Sequence, residues 1–173
     1  MVTPRIYVAS LSDYNSGILH GKWIDASQDA DAINEEIQSM LKESKQDNAE
    51  EYAIHDFEGF GAYSVSESED IETIAALAKA LDEHGELILA LMSHMGFKDV
   101  DEAVGYHEDN YQGEHKSLAD WAESFLEDTG TLNEIPENLR RYFDFESYAR
   151  DAELGGDVFT IELDGDTHVY WSR

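Results

Sequence analysis

Thirty-nine carboxylates and seven histidines are the residues whose chemistry could be catalytic or metal-binding. Their spacing supports neither role. A helical zinc site needs two imidazoles one turn apart, as in His-Glu-x-x-His, and none of His20, His55, His84, His94, His107, His115 and His168 is so placed. His107-Glu108-Asp109 with His115 comes nearest to a cluster and reads as loop polarity. Asp99-Val100-Asp101 lacks the third ligand, the glycine and the closing glutamate of a calcium loop. Asp164-Gly165-Asp166 fails in the same way and reads as a turn. Carboxylate pairs at glycosidase spacing can be found anywhere in so acidic a chain, so they carry no specificity. Gly59-Phe60-Gly61 runs into Ala-Tyr-Ser rather than a dinucleotide fingerprint, and neither a phosphate loop nor a nucleophile elbow occurs. Cysteine is absent, which removes disulfides and thiolate metal sites. These observations argue against an enzyme, a metal or a cofactor.

The carboxylates therefore matter as a charged surface. Eleven basic residues leave a formal net charge of -28. Residues 1–60 contribute -8, residues 61–103 another -8, and residues 104–173 contribute -12, so this is not an acidic tail. Such a chain repels nucleic acid and anionic membrane, and its self-repulsion costs stability. Two readings follow. The charge is either a working surface for a basic partner or a solvated face that serves solubility or a salt-rich cytoplasm. Lysine is not replaced by arginine, six against five, and large apolar residues stay common, which argues against salt adaptation.

A composition 42% hydrophobic and 11% aromatic is enough to fold, unlike a disordered acidic segment. The N-terminus lacks a basic stretch followed by an apolar run, and no stretch reaches transmembrane length. A cytoplasmic protein is expected. Along the chain, Arg5–Leu11, Ile18–Asp25 and Glu51–Phe57 read as strands, with a turn over Asp13–Gly17. Ile33, Ile37, Met40 and Leu41 share one face of a helix over Asp29–Ser44, capped by Ser27 or Asp29. Helices follow over Ser66–His84 and Glu86–Met95, stopped by Gly85 and Gly96, with another helical turn or two over Lys98–Val104. Tyr106–Gly113 is ambiguous and reads as a short strand. Ser117 to Asp120 forms a capping box for a helix to Thr129, Pro136 opens another, and Asp144 caps one ending at Gly155-Gly156. Val158–Leu163 and Thr167–Trp171 read as a hairpin around Asp164-Gly165. Trp23, Tyr52, Phe57, Trp121, Tyr148 and Trp171 fall on core positions. The expected class is α+β, divided into an α+β part (1–61), a helical part (62–104) and a second α+β part (105–173).

Three segments carry a resemblance. Pro4–Ala26, Glu50–Gly61 and Leu126–Phe159, the last reading LEDTGTLNEIPENLRRYFDFESYARDAELGGDVF, together resemble the ArdA antirestriction family. The middle, Ala62–Val104, agrees by position, helical character and acidity. The resemblance implies a DNA mimic from a mobile genetic element, acting as its DNA enters a new host during conjugation. It implies a rod of three small domains, a homodimer joined through the C-terminal domain, and occupation of the DNA groove of type I restriction-modification enzymes. Restriction, and modification with it, would be blocked without catalysis or direct nucleic-acid binding. The mimic surface would include Asp109, Glu114, Asp120, Glu123, Glu127, Asp128, Glu134, Glu137, Glu146, Asp151 and Glu153. Tyr142, Phe143, Phe145, Val169 and Trp171 are candidates for the dimer contact, with a core role competing at each.

The charge arithmetic is compatible with that picture. Two chains at -28 each match roughly 95 Å of duplex, about 28 base pairs, at one phosphate per ~1.7 Å. Carboxylates at i and i+4 on a helix rise about 6 Å, the order of phosphate spacing along a strand. The alternative is an acidic module that sequesters another basic DNA-binding protein, which the same charges would serve.

Overall fold

The computed structural model describes residues 2–173. The chain is α+β, with eight α-helices and two three-stranded antiparallel sheets among those residues. It divides into two compact units, one ending at Asp101 and one running from Glu102 to Arg173.

In the first unit, β1 (Arg5–Ser10) is the central strand, flanked by β2 (Gly21–Asp25) and β3 (Tyr52–Glu58). Cross-strand partners share a face. Ile6 lies opposite Ile24, and Val8 opposite Ile54, all four buried. The helix α2 (Ala30–Lys42) covers that face with Ile33, Ile37, Met40 and Leu41. The Asp29 carboxylate accepts from the Ala32 amide at 2.8 Å and so caps its first turn. Lys22 also points to the helix side of the sheet, where its ammonium meets Glu36 at 2.6 Å.

Four local expectations are corrected. Asp13–Gly17 is not only a turn, because α1 (Leu11–Asn15) forms a single helical turn that Ser10 caps. Residues 66–70 lie outside the next helix, α3 (Ile71–His84). There the Glu67 carbonyl accepts from Ile54 at the edge of β3, and Glu69 accepts from the Ser66 amide, so the backbone is already engaged. Lys98–Val104 is the start of a longer helix, α5 (Val100–Asn110), which runs through Gly105 and leaves β4 only Tyr111–His115. Trp23 is not core. It stands opposite Tyr7 on the face away from α2 and remains 36% exposed, because Ile24 takes the inward position. Between α3 and α5, α4 (Glu86–Met95) begins after Gly85 and ends at Gly96 in the left-handed conformation, as the glycine positions predict.

In the second unit β6 (Asp166–Trp171) is central between β4 and β5 (Val158–Leu163). The β5–β6 turn has both central residues at positive φ, Asp164 at 54° and Gly165 at 87°, which fits a tight two-residue hairpin. Against this sheet pack α6 (Leu118–Asp128) and α8 (Phe145–Leu154), capped by Ser117 and Asp144. Between them lie a short 3₁₀ turn (Thr131–Glu134) and α7 (Glu137–Arg140). Pro136 precedes α7 as its cap rather than forming its first residue. The core joins Trp121, Ala122, Ala149, Ala152, Val158 and Val169.

Candidate protein-binding surface

The packing of α6 fixes where its charges point. Trp121, Ala122 and Leu126 are buried, and Phe125 is half-buried against Trp121 at 5.3 Å and Trp171 at 5.4 Å. Asp120, Glu123, Glu127 and Asp128 occupy the remaining arc and are exposed. The same logic holds on α8. Ala149 and Ala152 face inward, small enough for α6 and α8 to approach closely, and Glu146, Asp151 and Glu153 face out. Asp109 at the end of α5, Glu114 on β4, Glu134 in the 3₁₀ turn and Glu137 on α7 are exposed as well. All eleven predicted surface carboxylates therefore reach solvent.

Three of the basic residues are held in ion pairs with half-buried acids. Arg5 pairs with Glu58, Lys22 with Glu36 and Lys116 with Asp166. These three acids are half-buried, as are Glu69 and Glu86. Burial penalises a carboxylate, and a partnering cation offsets that cost. For Glu36 the Gln28 amide and the Lys22 ammonium hold the carboxyl below its usual range. Lys116 is raised by its bond to Asp166. Among the eleven exposed carboxylates, Asp151 alone has a cation within 4 Å among the described residues, Arg150 at 3.9 Å. The other ten thus lack a close cation among the described residues, although on the first unit Lys79 pairs with the exposed Glu83 at 3.7 Å.

Asp13 is the buried exception. Ser44 and Ser10 hydrogen-bond its carboxylate, with Ser44 Oγ donating at 2.5 Å, and hold it below the ordinary carboxylate range. Asp144 is lowered by Ser147, whose hydroxyl and amide both donate to it. Both serve local structure.

One groove on the second unit is lined by Glu123, Glu127, Leu132, Asn133, Arg140, Arg141 and Phe145. Its arginines are engaged locally. Arg140 Nε donates to the Ile135 carbonyl at 2.9 Å, and Arg141 donates to the Tyr142 hydroxyl at 3.1 Å. No group of three metal-ligating side chains occurs among the described residues. His107 Nδ1 is bonded to the Tyr170 hydroxyl and His115 Nε2 to the Gln112 carbonyl, so each is committed to the fold.

The five apolar candidates separate by exposure. Tyr142 is 70% exposed. Phe143 and Phe145 are half-buried with ring centroids 5.0 Å apart. Val169 is fully buried in the core cluster, and Trp171 is half-buried against Trp121 and Phe125. Leu139 and Leu154 are exposed and were not singled out from sequence. Leu154 follows the inward Ala149 and Ala152 of α8 by a step that turns it to solvent, whereas α7, which carries Leu139, buries no residue.

Comparison with known proteins comes to rest on the whole chain rather than on a site. Among curated proteins no relative matches the sequence. A family model described as antirestriction protein (ArdA) matches residues 6–165 of the 173, which takes in all eight helices, the first sheet from Ile6 on and the full acidic arc of α6 and α8, and ends before β6. The chain belongs to the ArdA family of antirestriction proteins.

Proposed function

We propose that this protein blocks type I restriction-modification enzymes by occupying the DNA-binding groove of their modification core in place of B-form DNA. The observation that carries the reading is the exposed acidic surface of the second unit, where ten of the eleven carboxylates have no cation within 4 Å among the described residues. Exposed like charges destabilise a fold, so their retention points to a use outside it. A basic cleft built for phosphates is the complementary surface, and association is steered at long range and driven by counterion release.

The protein acts by occupancy, with no catalytic residue and no cofactor, in the cytoplasm of the cell that the DNA enters. Restriction falls, and modification falls with it, because both need the same groove. The reading calls for three small domains (1–61, 62–104, 105–173) in a rod and for two chains joined near Tyr142, Phe143 and Phe145. Small-angle scattering and sedimentation check these two requirements. The functional test is a cleavage assay with a purified type I enzyme on cognate DNA. Inhibition that more DNA relieves supports occupancy. Full cleavage at a large excess of this protein contradicts it.

A further inference from the structure

The sheet of the first unit has a second face, turned away from α2, and part of it is aromatic. Tyr7 and Trp23 are directly opposite on β1 and β2, with ring centroids 5.5 Å apart. The Arg5 guanidinium lies 4.9 Å from the centre of the Trp23 ring. Glycine at 21 makes this arrangement possible. A Cβ there would stand 2.8 Å from the Tyr7 ring and hydroxyl and 2.6 Å from the Val8 carbonyl, so the notch lets Tyr7 lie flat across β2. Carboxylates frame the pair. Asp25 is opposite Arg5, Asp56 is opposite Tyr7, and Glu58 is opposite Arg5 on the other side. An exposed tryptophan here has no role in the core, where Ile6, Val8, Ile24 and Ile54 already meet α2.

The chemistry of this face selects its occupant. Indole and phenol rings attract a cation over their faces, and a guanidinium, planar and weakly hydrated, stacks better than an ammonium. Carboxylates at the rim supply the countercharge and accept the N–H bonds. Arg5, which Glu58 also holds, already shows that a guanidinium fits on Trp23, and a partner guanidinium would take its place on the ring. We propose that this face of the first unit receives an arginine-bearing segment of the basic partner, with a partner guanidinium stacked on Trp23 and held by Asp25 or Asp56. This rests on the occupancy reading above and adds to it an anchor that does not depend on charge density alone. In interfaces a few aromatic contacts dominate the affinity, while dispersed rim charges chiefly set rate and salt dependence.

The test uses the full chain, the purified modification core of a type I enzyme and labelled cognate duplex. Trp23→Ala raises the concentration needed for half-displacement about tenfold at 0.1 M salt, in keeping with a desolvated cation–aromatic contact. The dependence on salt concentration keeps the wild-type slope, because no charge has been removed. Trp23→Phe recovers part of the loss. A second readout needs no variant: iodide or acrylamide quenching of the exposed tryptophan falls when the wild-type complex forms. Displacement by Trp23→Ala equal to wild type, with unchanged quenching on complex formation, overturns the inference while the occupancy reading stands. Wild-type protein that fails to displace DNA sinks the occupancy reading itself. A shift of Trp23→Ala to a lower oligomeric state, with inhibition intact, assigns the face to a second copy of the chain and also overturns the inference.

Discussion

The uncompensated acids should make stability and function move in opposite directions. Glu127 and Asp128 sit in the last turn of α6, and Glu153 in the last turn of α8; neither turn contains a basic residue. A helix ends in partial negative charge, so a carboxylate there costs about 0.3–1 kcal/mol at low ionic strength. Converting all three to amides, in Glu127→Gln/Asp128→Asn/Glu153→Gln, removes about 1 kcal/mol of that cost at the lower bound. The three carboxylates are exposed and none has a basic partner within 4 Å, so little is lost in exchange. The bond that Thr160 donates to Glu153 survives, because glutamine keeps the accepting oxygen. For a unit the size of Glu102–Arg173, 1 kcal/mol corresponds to a rise in Tm of about 4–8 °C. The same variant should need about three to ten times more protein for half-inhibition at 0.1 M salt, since three of the charges offered to the partner are gone. Both effects should shrink at 0.5 M salt as screening takes over. Calorimetry and a cleavage assay on one preparation read both. A fall in Tm would mean that these carboxylates hold the fold together. A higher Tm with unchanged inhibition would make them a solvated face, and the reasoning would fail.

Other predictions address the scaffold. Trp121→Ala empties the centre of the α6–α8 core and should cost about 3–5 kcal/mol, seen as early unfolding of the second unit in a denaturant titration. Ser117→Ala removes the acceptor for the Asp120 amide and should cost about 1 kcal/mol, again read as a denaturation midpoint. Asp13 has a carboxyl pKa lowered in the fold by Ser44 and Ser10. Its stabilising contribution is therefore present above the ordinary value of 3.8 and is lost as pH falls through the lower folded value. Asp13→Asn should flatten the acid limb of the stability profile and leave it less stable at neutral pH. An unchanged acid limb would count against the hydrogen-bonded account.

Strong periodicity and caps made most elements legible. Ile33, Ile37, Met40 and Leu41 defined α2, Ser117 and Asp144 marked the starts of α6 and α8, and Asp164-Gly165 marked the final hairpin. What was not legible depended on long-range contact. Glu67 is drawn out of α3 by an amide on β3, and no local pattern announces that bond. Tyr106 and His107 look extended by residue type, yet α5 holds both, with hydroxyl and imidazole bonded to β6. Trp23 looks like core material, and only the register against Tyr7 turns it outward. The outward direction of the acids could be read from helix faces. Their lack of cations could not, because Lys116 finds Asp166 and Arg5 finds Glu58 across about fifty residues of sequence.

The central claim is that this surface substitutes for DNA. Fluorescence anisotropy of a labelled cognate duplex, bound to the modification core of a type I enzyme, tests it most directly. Titration with this protein should release the duplex completely, with an apparent affinity that weakens steeply as salt rises. The acidic protein and the duplex should never occupy the enzyme together. A ternary complex, or a duplex that stays bound at saturating protein, would contradict the account.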